Sequence, residues 1–195
     1  MQEHQINLKN NFIDGYYLPN LSVCDDLINF FESSGKKQLG QVGNGYVNAK
    51  VKDSTDLELN PNDIVEYQVI QDYFKQLSKI IDLYKRKYKF CTETLSQWGL
   101  HENFGIQKYT PTQAYHGWHC ESANIFTSKR HLVFMTYLND VKKGGETEWY
   151  YQNVKIKPEK GLTVIWSADW TFTHKGNTTF NENKYIITGW YEFKE

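Results

Sequence analysis

The stretch AYHGWHCES, residues 114–122, places His116 and His119 three apart and Glu121 two residues further on. Side chains alternate along an extended chain, so Tyr115, Gly117, His119 and Glu121 share one face while His116, Trp118 and Cys120 share the other. His119 and Glu121 therefore converge, and His116 is left as a packing or hydrogen-bonding histidine. A histidine and a carboxylate so spaced reach one metal ion from the same side and need a third donor from elsewhere. Two histidines and one carboxylate on one face of an octahedron leave three positions open, a donor set that suits non-haem Fe(II). The remaining histidines are His4 in the N-terminal tail, His101, His131 at the head of a strand, and His174 in TFTHKG. His174 is the natural third ligand. An H-x-E tripeptide alone is weak evidence, and its surroundings decide the matter.

Outward from this stretch, short runs rich in β-branched and aromatic residues alternate with turn signals: FGIQKY (104–109), HLVFMTYL (131–138), ETEWYY (146–151), VKIK (154–157), LTVIW (162–166) and KYIITGWYEF (184–193). KKGG at 142–145, PEKG at 158–161 and GNTTFNEN at 176–183 break them with good turn chemistry. Evenly spaced short strands imply a sandwich or barrel. Upstream, Ser22 and Asp25 form a capping pair before Val23, Leu27, Ile28, Phe30 and Phe31, with Gly35 as the stop. Asn60 and Pro61 open a second helix whose apolar positions Ile70, Tyr73, Phe74, Leu77, Ile81 and Tyr84 carry it to about Tyr88. Its KRKYK tail favours the helix macrodipole and reads as solvated. Residues 39–59, with Gly40, Gly43 and Gly45, suit a loop or loose hairpin, a candidate flap.

The 195 residues fit one domain: a helical flank over 1–100 and a stranded core over 101–195. With 22 Lys+Arg against 23 Asp+Glu the net charge is -1, so no overall field favours nucleic acid or a membrane surface. No apolar run approaches the roughly 20 residues of a bilayer span, and MQEHQINLKNN (1–11) has no apolar signal core, so a cytoplasmic protein is expected. Cys24, Cys91 and Cys120 are scattered and odd in number, which argues against disulfides or a zinc knuckle.

In order and spacing the second half resembles the prolyl-4-hydroxylase-like branch of the 2-oxoglutarate- and Fe(II)-dependent dioxygenases. The resemblance rests on the H-x-E at 119–121, Arg130, TYLND at 136–140, GGET at 144–147, PEKG at 158–161, His174, KY at 184–185 and Trp190, and it covers residues 104–193. It implies a double-stranded β-helix, a jelly-roll of the cupin kind, that is mainly β with helices flanking its N-terminal side. It also implies Fe(II) on His119, Glu121 and His174, with 2-oxoglutarate and O2 as cosubstrates and ascorbate as a candidate reductant. Lys184, ten residues after His174, takes the place of the lysine that meets the distal carboxylate of 2-oxoglutarate. Alternation sets Lys184, Ile186, Thr188 and Trp190 on one face, where a cation inside an apolar barrel needs an anion. Tyr109 and Thr136 match hydroxyl positions that contact the cosubstrate, while Arg130 and Trp190 are candidates for holding substrate. The family's usual carboxylate is Asp, so Glu121 is a departure whose extra methylene shifts the local geometry.

The implied activity is hydroxylation of a C–H bond, of the prolyl-4-hydroxylase kind, on a peptide or protein. A small-molecule or nucleic-acid dioxygenase, a zinc hydrolase and a non-catalytic metal-binding cupin stand as alternatives. Near-neutral charge and a lysine rather than an arginine-rich terminus count against nucleic acid. Against a hydrolase or a bare metal binder stands Lys184, which has no task without a dicarboxylate.

Overall fold

The computed structural model describes residues 11–43 and 45–194; the tail with His4 lies outside the described residues. Thirteen strands and three α-helices follow the chain among these residues. They run β1 Asp14–Tyr17, α1 Ser22–Ser33, β2 Gln38–Leu39, β3 Gln41–Val42, β4 Tyr46–Val47, β5 Thr55–Leu59, α2 Asp63–Glu66 and α3 Gln68–Lys87. The second half continues with β6 Trp98–Gly99, β7 Phe104–Tyr109, β8 Arg130–Tyr137, β9 Thr147–Trp149, β10 Val154–Ile156, β11 Leu162–Ser167, β12 His174–Gly176 and β13 Lys184–Phe193. An antiparallel major sheet runs β1-β11-β8-β13-β7-β5-β2, with β6 also on β13, and a minor sheet runs β10-β9-β12.

Alternation along the central strands sorts side chains between two cores. Phe134, Ile165, Tyr185, Ile187 and Tyr191 face the helices and pack with Ile70, Tyr73, Leu77 and Ile81 of α3. Val133, Met135, Tyr137, Val164, Trp166 and Ile186 face the minor sheet, where they enclose Trp149. The two sheets facing across this second core form the double-stranded β-helix, and the helices cover the major sheet's outer face.

Four upstream details differ from expectation. Ser22 and Asp25 make no capping box: Asn20 Oδ1 accepts from Ser22 N–H, and Asp25 is drawn to Lys160 at 2.7 Å. Gly35 is not left-handed, and α1 ends at an extended Ser34. Asn60 and Pro61 open only α2, because Tyr67, at φ -109° and ψ 117°, breaks the chain before the long helix begins at Gln68. Residues 39–59 hold the expected hairpin, β3 with β4, but also a strand that was not expected, β5, which enters the major sheet against β7 with Leu57 and Leu59 buried. Position 100 is therefore no seam, since β1 and β5 belong to the sheet of the second half.

The KRKYK tail is tied down locally. Lys87 pairs with Asp14 at 2.7 Å and Lys85 lies over Trp98 at 4.5 Å. Among the described residues no helix is long and apolar enough to cross a membrane.

Candidate active site

Residues 114–122 belong to no regular strand. Single bridges hold them, Tyr115 to Lys52 and His119 to His174. Those bridges suffice to fix the phase: the His119 and His174 backbones exchange hydrogen bonds at 2.9 and 2.8 Å, and Glu121 N–H bonds to Ala168 O at 3.0 Å. His116 is exposed, on the other side.

His119, Glu121 and His174 offer one donor atom each within 4.8 Å of one another. Glu121 Oε1 lies 3.5 Å from His119 Nε2 and 3.3 Å from His174 Nε2. Each imidazole spends Nδ1 on a backbone carbonyl two residues upstream, Gly117 O for His119 and Phe172 O for His174, both at 2.9 Å. A carbonyl only accepts, so Nδ1 carries the proton and Nε2 presents its lone pair inward, the tautomer a metal requires. Burial and the neighbouring His119 push His174 below the usual histidine range, which favours the neutral ring. Burial alone would raise the Glu121 carboxyl, but hydrogen bonds and positive charge from the two rings, when they carry a proton on Nε2 as well, hold it well below its usual range; a bound cation would take the place of that proton. Three converging donors, two neutral and one anionic, fit a divalent cation.

Arg130 accommodates the longer glutamate. Its Nη1 donates to Glu121 O at 3.2 Å and lies 3.6 Å from Oε2, leaving Oε1 toward the histidines. Glu102 grips the same guanidinium at 2.7 Å, and the Trp190 ring lies 3.7 Å beneath it. Tyr115 stacks on His119 at 3.6 Å and 9°.

The triad opens into a cavity of about 210 Å³ whose walls include Tyr109, Arg130, Lys184 and Trp190. Lys184 is 3% exposed and forms no ion pair among the described residues. Its ammonium donates to Gly145 O at 3.1 Å and lies 4.7 Å from the Tyr109 ring centre. Burial pulls it down to about 8, with Glu146 partly opposing. An ammonium with three donors and one internal acceptor needs an anionic partner. A dicarboxylate end-on in this cavity supplies one. Tyr109 lines the same wall, its hydroxyl donating to Gln107 Oε1 at 2.6 Å.

Thr136 does not belong to the site, a correction to the expected set. It faces the helices, where its hydroxyl meets Tyr73 Oη at 2.9 Å and Thr163 Oγ1 at 2.7 Å. Met135, one residue earlier, faces the cavity instead. Sequence reasoning also passed over Lys52, Gln107 and Thr147 on the cavity wall, and placed Thr188 there by strand phase alone. Lys52 is 6% exposed and paired with Asp56 at 2.5 Å. Its one sequence signal was its place in the glycine-rich segment singled out as a flap.

Residues 104–192 match the family model described as the 2OG-Fe(II) oxygenase superfamily. The matched stretch, just under half of the chain, takes in all three donors of the triad and Lys184. That superfamily uses Fe(II) as cofactor, with 2-oxoglutarate and O2 as cosubstrates. Similar folds appear in solved structures. A viral collagen prolyl hydroxylase from Paramecium bursaria Chlorella virus-1, in complex with 2-oxoglutarate, shares 20% identity at a TM-score of 0.69, covering 94% of this chain and 97% of that one. A Pseudomonas putida prolyl-4-hydroxylase shares 12% at 0.67, covering 94% of each chain. A Trichoplax adhaerens prolyl hydroxylase in complex with a hypoxia-inducible-factor peptide fragment shares 17% at 0.72, covering 94% and 84%. No curated protein matches in sequence. In this chain, the cavity that joins a two-histidine, one-carboxylate cluster to a buried lysine with no ion pair among the described residues has the donors that Fe(II) and 2-oxoglutarate call for.

Proposed function

We propose that the protein hydroxylates prolyl residues in a polypeptide, with Fe(II) held by His119, Glu121 and His174 and the distal carboxylate of 2-oxoglutarate held by Lys184. The observation that carries this reading is the one cavity lined by both the donor triad and the buried ammonium. When bound, iron and 2-oxoglutarate activate O2, so that one oxygen atom enters a substrate C–H bond while 2-oxoglutarate becomes succinate and carbon dioxide. The chain's own residues position and shield that chemistry. Gly117 O and Phe172 O fix the imidazole tautomers, Arg130 orients Glu121, and Trp166 and Met135 add apolar side chains to the wall.

A polypeptide is supported by what adjoins the cavity. A second, open groove of about 550 Å³ shares Gln41, Lys52, Gln107, Arg130, Thr188 and Trp190 with it and continues past Asn103 and Gly105. Amide and hydroxyl side chains along such a groove can bond a peptide's backbone. The β3–β4 hairpin overhangs the junction through Gln41, Val42 and Gly43. Tyr109 and Trp190 offer ring faces inside for an apolar side chain. The three solved structures above, all of prolyl hydroxylases, agree with this choice of substrate.

The test is anaerobic titration of the protein with Fe(II) and 2-oxoglutarate, watching for the visible charge-transfer band, followed by aerobic incubation with proline-containing peptides. The expected result is the band and a peptide heavier by one oxygen atom, formed with equimolar succinate. A folded protein with no band would overturn the cofactor assignment. A band with no modified peptide would overturn the substrate.

A further inference from the structure

Four aromatic side chains outside the cavity form a continuous exposed ladder. Trp118, Tyr150, Tyr151 and Trp170 are 41%, 61%, 59% and 64% exposed. Their ring centres follow one another at 5.2 Å and 85°, 5.2 Å and 81°, and 5.8 Å and 89°. Single exposed aromatics are ordinary on a protein surface, but a contiguous run marks an interaction site. None of the four lines the cavity.

Strand register places the ladder at one end of the barrel. On β9 and β12, His174 pairs with Trp149 and Gly176 with Thr147. The Gly176 side is the lysine side, since a Cβ there would lie 3.6 Å from Lys184 Nζ. Tyr150 and Tyr151 continue in the opposite direction, and Tyr150 N–H bonds to Thr173 O at 2.9 Å. Trp118 immediately precedes His119, and Trp170 lies two residues past Ala168, the carbonyl partner of Glu121 N–H. The ladder therefore flanks the donor triad on the side remote from Lys184.

We propose that this ladder is a second docking track, which takes proline-rich segments of the substrate polypeptide that flank the residue to be hydroxylated; this rests on the polypeptide reading above. Successive rings stand almost perpendicular, so each pair makes an L-shaped notch with one ring as floor and the next as wall. A pyrrolidine ring is rigid, apolar and compact enough for such a notch. Polyproline II helix has three residues per turn at about 3.1 Å each, a stiff extended rod that can lie along such a row of rings. That helix makes no internal hydrogen bonds, and its carbonyls need donors. The Tyr150 and Tyr151 hydroxyls and the Trp118 and Trp170 indole N–H groups donate to nothing among the described residues, which leaves them free for this task. Lys175 closes one end, its ammonium 4.6 Å from the Trp118 ring centre.

The test compares two peptides with the same target proline, one short and one extended on both sides by proline-rich sequence. Iron-loaded wild type, Tyr150→Ala, Trp170→Ala and Tyr150→Phe are assayed for KM and kcat. In wild type the extended peptide should have the lower KM. Loss of one aromatic contact, worth roughly 0.5–1.5 kcal/mol, should raise that KM about 2- to 12-fold in the alanine variants. Their kcat and the short peptide's KM should not move, and Tyr150→Phe should keep most of the advantage. Equal KM for both peptides in wild type, or no change across the variants, overturns the ladder and leaves prolyl hydroxylation standing. Quenching of tryptophan fluorescence by the extended peptide reports binding without turnover. Binding that depends on Tyr150 and Trp170, without hydroxylation, supports the ladder and overturns the prolyl reading. Self-association that disappears in the alanine variants, with peptide KM unaffected, gives the face to a second copy and overturns the proposal.

Discussion

Thr136 and Lys184 are buried polar side chains on neighbouring strands of one sheet, and they face opposite ways into opposite circumstances. Thr136, on the helix side, is 0% exposed and has two hydroxyl partners. Lys184, on the barrel side, is 3% exposed and has one carbonyl for three donors. A buried polar group with all its partners inside the chain is structural; one whose partners are missing awaits a ligand. The same contrast separates the two faces generally. The helix face is a closed apolar core, while the barrel face holds the triad and the unpartnered Trp166 and Trp190 indole nitrogens.

The strongest challenge to the contrast is removal of a triad donor. His174→Ala or Glu121→Ala should abolish iron binding and succinate formation, measured by metal analysis after gel filtration and by product assay, with circular dichroism unchanged. His116→Ala should retain both activities. Iron kept in His174→Ala and lost in His116→Ala would reverse the assigned faces. Glu121→Asp, with a shorter reach past Arg130, should keep iron and lose part of its turnover.

Lys184→Met comes next. Stranding a buried carboxylate costs about 2–5 kcal/mol, which weakens 2-oxoglutarate binding roughly 30-fold to several thousandfold. Iron affinity should not change, because Lys184 is not among the donors. Thermal stability of the ligand-free protein should hold or rise, since the variant no longer buries a charge, and Lys184→Arg should recover part of the binding. A stability loss with unchanged 2-oxoglutarate affinity would put Lys184 in the same structural class as Thr136.

Why one of these residues was legible and the other misplaced follows from their strands. KYIITGWYEF is pinned by Lys184, whose charge permits only a face where an anion can meet it, so spacing and phase agree. HLVFMTYL is apolar on both faces, Val133, Met135 and Tyr137 inward against Leu132, Phe134 and Leu138 outward, and carries no alternation to fix its phase. Resemblance supplied a hydroxyl at Thr136, and tertiary packing gave it to Tyr73. The triad was readable because an H-x-E on extended backbone converges whatever the sheet does. The break at Tyr67 and the strand at Thr55–Leu59 were not, because neither bears a glycine or proline signal strong enough to override its neighbours.

A smaller effect is expected from pH. Lys184 is lowered from its ordinary value of 10.5 to about 8 by burial. If only the ammonium binds the carboxylate, 2-oxoglutarate affinity should be level below about 8 and fall by up to about tenfold per unit above it. The ligand-free protein should behave oppositely. Below about 8 both folded and unfolded chains hold the proton; between there and 10.5 the unfolded chain binds more, so folding stability rises with pH across that window. Isothermal titration and denaturant melts across the range check both signs. Lys184→Met should flatten both profiles, and profiles that persist in it would assign the titration to another group.

The smallest effect on ligand binding, and the sharpest test of the comparison, belongs to Thr136→Val. The substitution keeps the shape of the side chain and deletes a hydroxyl that serves both Tyr73 and Thr163. Both partners stay buried, Tyr73 at 0% and Thr163 at 0% exposed, so neither can turn to water for a replacement. Leaving a buried hydroxyl unsatisfied costs about 1–3 kcal/mol, and the midpoint of urea unfolding should fall accordingly. Affinity for 2-oxoglutarate and for iron should stay at wild-type values, because Met135 and not Thr136 lines the cavity. A Tyr73→Phe, Thr136→Val double variant should be less destabilised than the sum of the singles, since each removes the partner that the other leaves stranded. A fall in 2-oxoglutarate affinity in Thr136→Val without loss of stability would mean that its hydroxyl reaches the cosubstrate after all, and that the two faces of the sheet do not divide structure from function.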